Sequence, residues 1–199
     1  MKNKLWWWEK TVEYAFVRHI MSDHANASPL DGKPEKWLGD LIESKQGNFR
    51  LIEFKREVDS IKSENKKYAN KEKCYLDSCQ DITNREKAAH WLVFGEAYAS
   101  ADTRKQLKLK YRHYHKTEDA DLTSSNDLSY MKYESFMPYI KELMELRGED
   151  GTAQGGGLVM ASVKENQVSV LDLSEVIQMV PELAENFSSS PVNSSHNRP

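Results

Sequence analysis

The residues with the clearest potential for chemistry are acids and one lysine on neighbouring predicted elements. Asp40 interrupts an apolar stretch, and Glu53 and Lys55 are two positions apart on a predicted strand, so their side chains leave the same face. Glu9 and Glu13 lie on the apolar side of a predicted helix, where an acid is costly unless another group pairs with it. Clustered carboxylates suit Mg²⁺, which prefers oxygen ligands, and a nearby lysine can orient a water molecule or hold a phosphate. The pattern therefore indicates metal-assisted phosphate chemistry.

The elements that must position these side chains alternate between helix and strand. In chain order, the apolar spacing and the turn residues predict a helix over residues 5–21, a loop over 22–35, a strand over 37–42, a turn at 46–48, a strand over 49–55, a charged helix over 57–80, a buried strand over 90–94, a strand over 105–115 and a helix over 129–147. A hairpin over 158–173, a short helix over 174–186 and a disordered tail from residue 188 follow.

This order of elements predicts an α/β fold with a small mixed central sheet flanked by helices, to which a C-terminal helix and hairpin are added. We expect residues 1–150 to form the core with its helical extension. Residues 151–187 form part of the same domain or an appendage, and residues 188–199 form the tail.

The composition limits the class of protein. The chain has 199 residues and a formal net charge of −3, with 39% of its residues apolar and 30% charged. A chain of this length can bury a core of its own, and its slight acidity excludes a basic coat over the whole surface. No apolar run approaches the roughly 20 residues that a bilayer span needs. The cysteines, Cys74 and Cys79, predict no disulfide framework and no zinc site, so we expect ordinary thiols and a cytoplasmic location.

The motif Gly39-Asp40, followed along the chain by Glu53-Phe54-Lys55 and preceded by an acid on the first helix, resembles the PD-(D/E)xK nuclease superfamily. The resemblance covers about residues 5–95, where members of the superfamily show a helix, a small sheet, a helix and a further strand. It implies a restriction-endonuclease-like core and a nuclease, dependent on Mg²⁺ or Mn²⁺, that hydrolyses phosphodiester bonds of DNA.

The resemblance also implies roles for individual residues. Asp40 and Glu53 would hold the metal with the main-chain carbonyl of Phe54 and a helix glutamate, Glu13 or Glu9. Asp40, Glu53 and Lys55 would form the catalytic set, in which Lys55 serves the attacking water. The alternative from the residues alone is that Asp40, Glu53 and Lys55 form a solvated charge group on an edge strand, which contributes little to stability.

A second feature is the basic outer face of the strand over 105–115, formed by Lys108, Lys110 and Arg112. These side chains could follow a phosphate backbone, or form an ordinary solvated face. On the same strand, His113 and His115 could clamp a metal, but no third ligand is evident nearby.

The acidic balance of the chain bears on its partners. We expect action on DNA as a homo-oligomer or beside a partner protein that supplies affinity, and no association with a membrane. A role in restriction or antiviral defence is an expectation from the kind of family only. The alternative function is a nuclease-like module that binds nucleic acid or a protein partner without catalysis.

Overall fold

The computed structural model describes residues 7–21, 25–30, 39–68, 71–99, 105–147, 159–164 and 167–172. The helices within this part of the chain are α1 (Glu9–His19), α2 (Tyr75–Ser78) and α3 (Tyr133–Leu146), with 3₁₀ segments at Val58–Lys67, Arg85–Lys87 and Ser125–Asp127. The strands described are β1 (Asn26–Pro29), β2 (Leu41–Lys45), β3 (Asn48–Lys55), β4 (His90–Ala99), β5 (Lys105–His113), β6 (Asp119–Asp121), β7 (Met131–Lys132), β8 (Val159–Lys164) and β9 (Gln167–Asp172). Among the residues described, no helix is long and apolar enough to cross a bilayer. The helix predicted over 174–186 and the tail from residue 188 lie outside the described residues.

The strands form one mixed sheet in the order β6-β5-β4-β3-β2-β1-β8-β9, and β7 pairs with the start of β3. The β3–β4 pair is parallel and the other pairs are antiparallel. Helices cover this sheet, so the predicted α/β fold with a mixed central sheet flanked by helices is confirmed. The predicted C-terminal hairpin is β8–β9, and its backbone continues the same sheet through the pairing of Ala27 with Ala161.

The β2–β3 hairpin closes at the predicted turn. Gln46 and Gly47 both have positive φ, at 52° and 72°, which is the backbone that a two-residue hairpin loop requires and that glycine adopts without strain. The turn fixes a register in which Leu41 lies opposite Ile52. Asp40, just before β2, is thereby brought beside the end of β3.

Two layers cover the two faces of the sheet. On one face, Phe16 of α1 packs edge-on against Phe54, with ring centroids 5.4 Å apart. On the other face, Phe136 of α3 stacks on Phe49 at 5.3 Å. Because successive side chains of β3 alternate between these faces, the strand is buried on both sides, and Glu53 and Lys55 share the face that lies towards the Val58–Lys67 segment.

Some sequence predictions for local structure are wrong. Of the strand predicted over 37–42, residues 39 and 40 are not in a strand, and β2 begins at Leu41 and continues to Lys45. The predicted loop over 22–35 contains β1, whose Asn-Ala-Ser-Pro sequence has little intrinsic strand preference and is held by backbone pairing with β2. The predicted helix over 57–80 is instead a 3₁₀ segment, Val58–Lys67, followed by the single α-helical turn of α2. A 3₁₀ helix has 3.0 residues per turn, so Ile61, Glu64 and Lys67 line up along one edge facing the sheet.

Candidate active site

Asp40 is fixed at the point where β2 approaches the end of β3. Its N–H donates to the carbonyl of Ile52 at 3.0 Å, and its carboxylate oxygen Oδ2 accepts the N–H of Phe54 at 2.5 Å. A strand N–H that would otherwise bond to a neighbouring strand is therefore capped by an acidic side chain. Gly39 favours this approach, because a Cβ at this position would lie 3.1 Å from the carbonyl oxygen of Ile52, which is a tight contact.

Glu53 and Lys55 are buried together on one face of β3, with 1% and 6% of their side chains exposed. Lys55 Nζ lies 2.5 Å from Glu53 Oε1. Since β3 lies between β2 and β4, the alternative of a solvated pair on an edge strand is wrong.

The Val58–Lys67 segment supplies two further charged groups that the sequence analysis did not single out. Glu64 Oε1 lies 3.0 Å from Lys55 Nζ, and Lys67 Nζ lies 2.6 Å from Glu53 Oε1. The sequence gives no specific signal for them, because the three-residue spacing of Ile61, Glu64 and Lys67 falls on one side of an α-helix as well as of a 3₁₀ helix.

A further set of polar groups holds the other carboxylate oxygen of Glu64, Oε2. Tyr114 donates its hydroxyl hydrogen to Glu64 Oε2 at 2.8 Å, and Arg147 donates to the Tyr114 oxygen at 2.7 Å. Tyr68 hydrogen-bonds to the same Tyr114 oxygen at 3.0 Å. The site is thus tied to β5, to the end of the Val58–Lys67 segment and to the end of α3.

The two candidate helix acids have different surroundings. Glu13 is paired with Lys10 at 2.7 Å on the surface of α1. Glu9 lies at the start of the helix, where partial burial raises the pKa of its carboxyl group, with Lys55 lowering it and Glu53 raising it. Glu9 also contributes to the rise in the pKa of Asp40. Glu9 is thus a solvent-exposed residue that interacts electrostatically with Asp40, Glu53 and Lys55, whereas Glu13 lies in a surface ion pair.

Burial shifts the pKa of both central carboxyl groups upward. Desolvation raises the pKa of Asp40 to about 6, although Lys55 and Lys67 oppose the rise. Desolvation together with the charge of Glu64 raises the pKa of Glu53 to about 7. Both groups therefore titrate near neutral pH, which is a range where binding of a cation or a proton changes their charge.

Lys55 and Glu64 stay ionised. Burial alone lowers the pKa of Lys55, but the charges of Glu53, Glu64 and Asp40 more than compensate and raise it above its ordinary value. Burial likewise opposes ionisation of Glu64, but Lys67, Lys55 and Arg147 hold its pKa well below the usual range. Lys55 is therefore a permanent cation that cannot act as a proton acceptor near neutral pH.

The two oxygens of Glu53 are used differently. Oε1 contacts both Lys55 and Lys67, whereas Oε2 is buried and has no hydrogen-bond partner among the described residues. A Cβ on Gly39 would lie 3.2 Å from this oxygen, so Oε2 points towards Gly39-Asp40.

The carboxylates of Asp40 and Glu53 and the main-chain carbonyls of this strand end are oxygen donors, which fit a hard cation such as Mg²⁺ or Mn²⁺. Within the described part of the chain, no three Asp, Glu, His or Cys side chains form a ready-made metal site.

The predicted nucleic-acid-binding side chains of β5 are compensated by acids of β6. Lys110 and Arg112 lie in the same cross-strand rows as Lys55 and Glu53, two strands away across β4. Lys108 and Lys110 both pair with Asp121, the latter at 2.8 Å, and Arg112 pairs with Asp119 at 2.6 Å.

The two histidines considered as a metal clamp are engaged elsewhere. His113 Nε2 lies 2.7 Å from the carbonyl oxygen of Ala88, and His115 Nε2 hydrogen-bonds with the hydroxyl of Tyr139 at 2.9 Å. Their side chains therefore serve the packing of β5 against its neighbours.

Searches against protein-family models, curated proteins and solved structures find no match to this chain.

Proposed function

We propose that this protein is a metal-dependent nuclease that hydrolyses phosphodiester bonds of DNA. The observation that carries the proposal is Glu53 Oε2, a buried carboxylate oxygen with no hydrogen-bond partner among the described residues, directed towards Gly39-Asp40. A buried anionic oxygen without a partner is costly. A divalent cation between Glu53 and Asp40 would supply that partner, while Oε1 keeps its lysines.

The proposed ligands are the carboxylates of Asp40 and Glu53 and the carbonyl of Phe54. In an extended residue the C=O leaves the strand on the same edge as the N–H, and the Phe54 N–H faces Asp40. Glu9, and not Glu13, is the helix acid proposed to support the ion. When bound, Mg²⁺ or Mn²⁺ would activate a water molecule and neutralise charge that develops on the phosphate.

Lys55 serves this reaction as a cation. Because Glu53 and Glu64 keep it protonated, it can donate hydrogen bonds to a phosphate oxygen or to the attacking water, but it does not take the proton of that water. Its contacts with both carboxylates fix the position of Nζ before substrate arrives, and such pre-organised charge is effective in catalysis.

The proposal extends to partners. The chain carries a formal net charge of −3, and the basic face of β5 is compensated by Asp119 and Asp121. DNA affinity would therefore come from an oligomer of this chain or from a partner protein. A role in restriction or antiviral defence would fit such an assembly.

Cleavage of plasmid and linear DNA in Mg²⁺ and in Mn²⁺ tests the proposal. Asp40→Asn removes the charge but keeps an oxygen that can accept the Phe54 N–H, so it should fold and should lose cleavage. Lys55→Met should lose cleavage as well, and Asp59→Asn, an exposed position on the Val58–Lys67 segment, should cut like wild type. If Asp40→Asn cuts as fast as wild type, the proposal is wrong.

The second candidate is a nuclease-like module that binds nucleic acid or a protein and has no catalysis. It is favoured by the number of cations already in contact with the acids, because Lys55, Lys67 and Arg147 compensate Glu53 and Glu64 without a metal. Titration with Mn²⁺ separates the two candidates. A metal site raises the melting temperature with metal concentration by linkage, whereas a purely structural ion cluster leaves it unchanged.

A further inference from the structure

Two lysines contact the same carboxylate oxygen of the candidate site, but they differ in access to solvent. Both Lys55 Nζ and Lys67 Nζ lie against Glu53 Oε1, at 2.5 and 2.6 Å. The side chain of Lys55 is 6% exposed, and that of Lys67 is 18% exposed. Lys67 is therefore the cation of the pair that a ligand arriving from solvent reaches first.

The backbone fixes Lys67 at this place. The three-residue repeat of the 3₁₀ segment puts Lys67 in one row with Ile61 and Glu64, both of which are buried. The next residue, Tyr68, is 3% exposed and hydrogen-bonds to Tyr114 at 3.0 Å. The buried residues Glu64 and Tyr68 therefore hold the main chain of Lys67 at a defined position next to the site.

The shared oxygen allows Lys67 to leave Glu53 at little electrostatic cost. Removing the partner of a buried carboxylate is strongly unfavourable. Lys67 also lies 3.4 Å from Glu64 Oε1. When Lys67 turns outward, Lys55 still contacts both Glu53 and Glu64 and Arg147 still pairs with Glu64, so neither carboxylate is left without a cation. A lysine ammonium is a compact point charge that binds phosphate well.

We propose that Lys67 binds a non-bridging oxygen of the substrate phosphodiester, while Lys55 stays fixed between Glu53 and Glu64. This assignment rests on the proposed function and adds a substrate-binding residue to it. It places the DNA backbone on the side of the site that is bounded by the end of the Val58–Lys67 segment.

The test measures binding of a fluorescein-labelled DNA duplex by fluorescence anisotropy over a range of salt concentrations. Ca²⁺ replaces Mg²⁺, so that binding is measured without cleavage of the DNA. Lys67→Gln keeps the length of the side chain and removes the charge. We expect it to weaken binding about tenfold and to reduce the slope of log K against log salt by about 0.9, the amount for one lost phosphate contact. Lys67→Arg should restore most of the slope.

Lys66→Ala is the matched control. Lys66 is an exposed neighbour on the same segment, and its replacement changes the net charge by the same amount. An equal loss of slope in Lys66→Ala and Lys67→Gln would overturn the assignment, as would an unchanged slope in Lys67→Gln.

These results are distinct from a failure of the proposed function. If wild type cuts DNA, Asp40→Asn does not, and Lys67→Gln binds and cuts like wild type, only the role of Lys67 is wrong. If wild type neither binds nor cuts DNA, both proposals are wrong.

Discussion

Lys55 Nζ lies 3.0 Å from Glu64 Oε1, and this contact joins the central strand of the sheet to the 3₁₀ segment packed against it. The other oxygen of Glu64 accepts the hydroxyl of Tyr114 at 2.8 Å. Glu64 is 0% exposed, so its charge is balanced only by groups of the protein. One buried carboxylate therefore fixes the side chain that the proposed chemistry requires.

Replacing Glu64 with glutamine should lower the free energy of unfolding by about 3 kcal/mol, because Lys55 and Arg147 then lose a buried anionic partner. Urea unfolding followed by circular dichroism measures the effect. Asp59→Asn, on the exposed side of the same segment, should leave the midpoint unchanged. A Glu64→Gln protein as stable as wild type would contradict the link between strand and segment.

Signals between residues close in sequence were sufficient to predict much of the fold. The Gln46-Gly47 turn, the β-branched and aromatic residues of β3 and the apolar face of α3 are signals between neighbours in sequence, and these elements were predicted correctly. The Val58–Lys67 segment was not. Its sparse apolar residues fit helical spacing, but the burial of Glu64 depends on Lys55 and Arg147, which lie on other elements.

The same distinction explains the site. The spacing of Glu53 and Lys55 on a strand, with Asp40 upstream, was enough to predict that the three converge. Glu64 and Lys67 were missed because the sequence shows them as two charges in a charged stretch. Only the three-dimensional arrangement, in which they contact Lys55 and Glu53, distinguishes them from the exposed charges around them.

Binding of Mn²⁺ should weaken as the pH falls through 7 and then through 6, because the metal requires ionised carboxylates. The pKa of Glu53 is raised by burial to about 7 and that of Asp40 to about 6. Isothermal titration calorimetry between about pH 8 and about pH 5 measures the affinity and the protons released. Glu53→Gln should remove the upper step, and an affinity independent of pH over this range would contradict the assignment of these ligands.

The metal-free protein should respond to pH in the opposite sense. The folded state holds the proton of Glu53 more tightly than the unfolded chain, whose carboxyl groups have the ordinary value of 4.5. The contribution of this group to stability is therefore largest below about pH 4.5 and is lost as the pH rises towards about 7. Comparing the urea midpoints of wild type and Glu53→Gln across this range isolates the contribution.

A separate buried ion pair stabilises the other end of the β2–β3 hairpin. Arg50 contacts Glu43 at 2.5 Å with both side chains fully buried, and it donates to the carbonyls of Ser125 and Leu128. Arg50→Met should destabilise the protein by about 3–5 kcal/mol, since, among the described residues, the Glu43 carboxylate then keeps only the hydrogen bond from the hydroxyl of Tyr130. The double variant Arg50→Met with Glu43→Leu should recover part of the loss in urea unfolding, because it removes the unpaired charge. No recovery would show that the carbonyl contacts of Arg50, and not the charge pair, carry the stability.

Gly39 should be required for metal binding. A Cβ at this position would lie 3.2 Å from Glu53 Oε2 and 3.1 Å from the carbonyl oxygen of Ile52, which crowds the oxygen proposed to face the ion. Wild type at a hundredfold excess of Mn²⁺ over Kd should gain about 2.7 kcal/mol by linkage, and Gly39→Ala should lose most of this gain. The melting temperature without metal serves as the control for folding. An undiminished response to Mn²⁺ in Gly39→Ala would place the ion elsewhere.

The basic face of β5 should bind DNA more tightly when its acidic partner is removed. Lys108 and Lys110 both pair with Asp121, whose side chain is 44% exposed, and their ammonium groups lower its pKa. If the two lysines contact phosphates, Asp121 competes with the DNA backbone for them. Asp121→Asn should then tighten binding and steepen its salt dependence, whereas Lys108→Ala with Lys110→Ala should weaken binding and flatten it. Asp81→Asn, an exposed acid elsewhere, changes the net charge equally and controls for long-range electrostatics. Equal effects of Asp121→Asn and Asp81→Asn would mean that β5 affects DNA binding only through the net charge of the protein. The phosphate contacts would then lie at the cluster around Glu53.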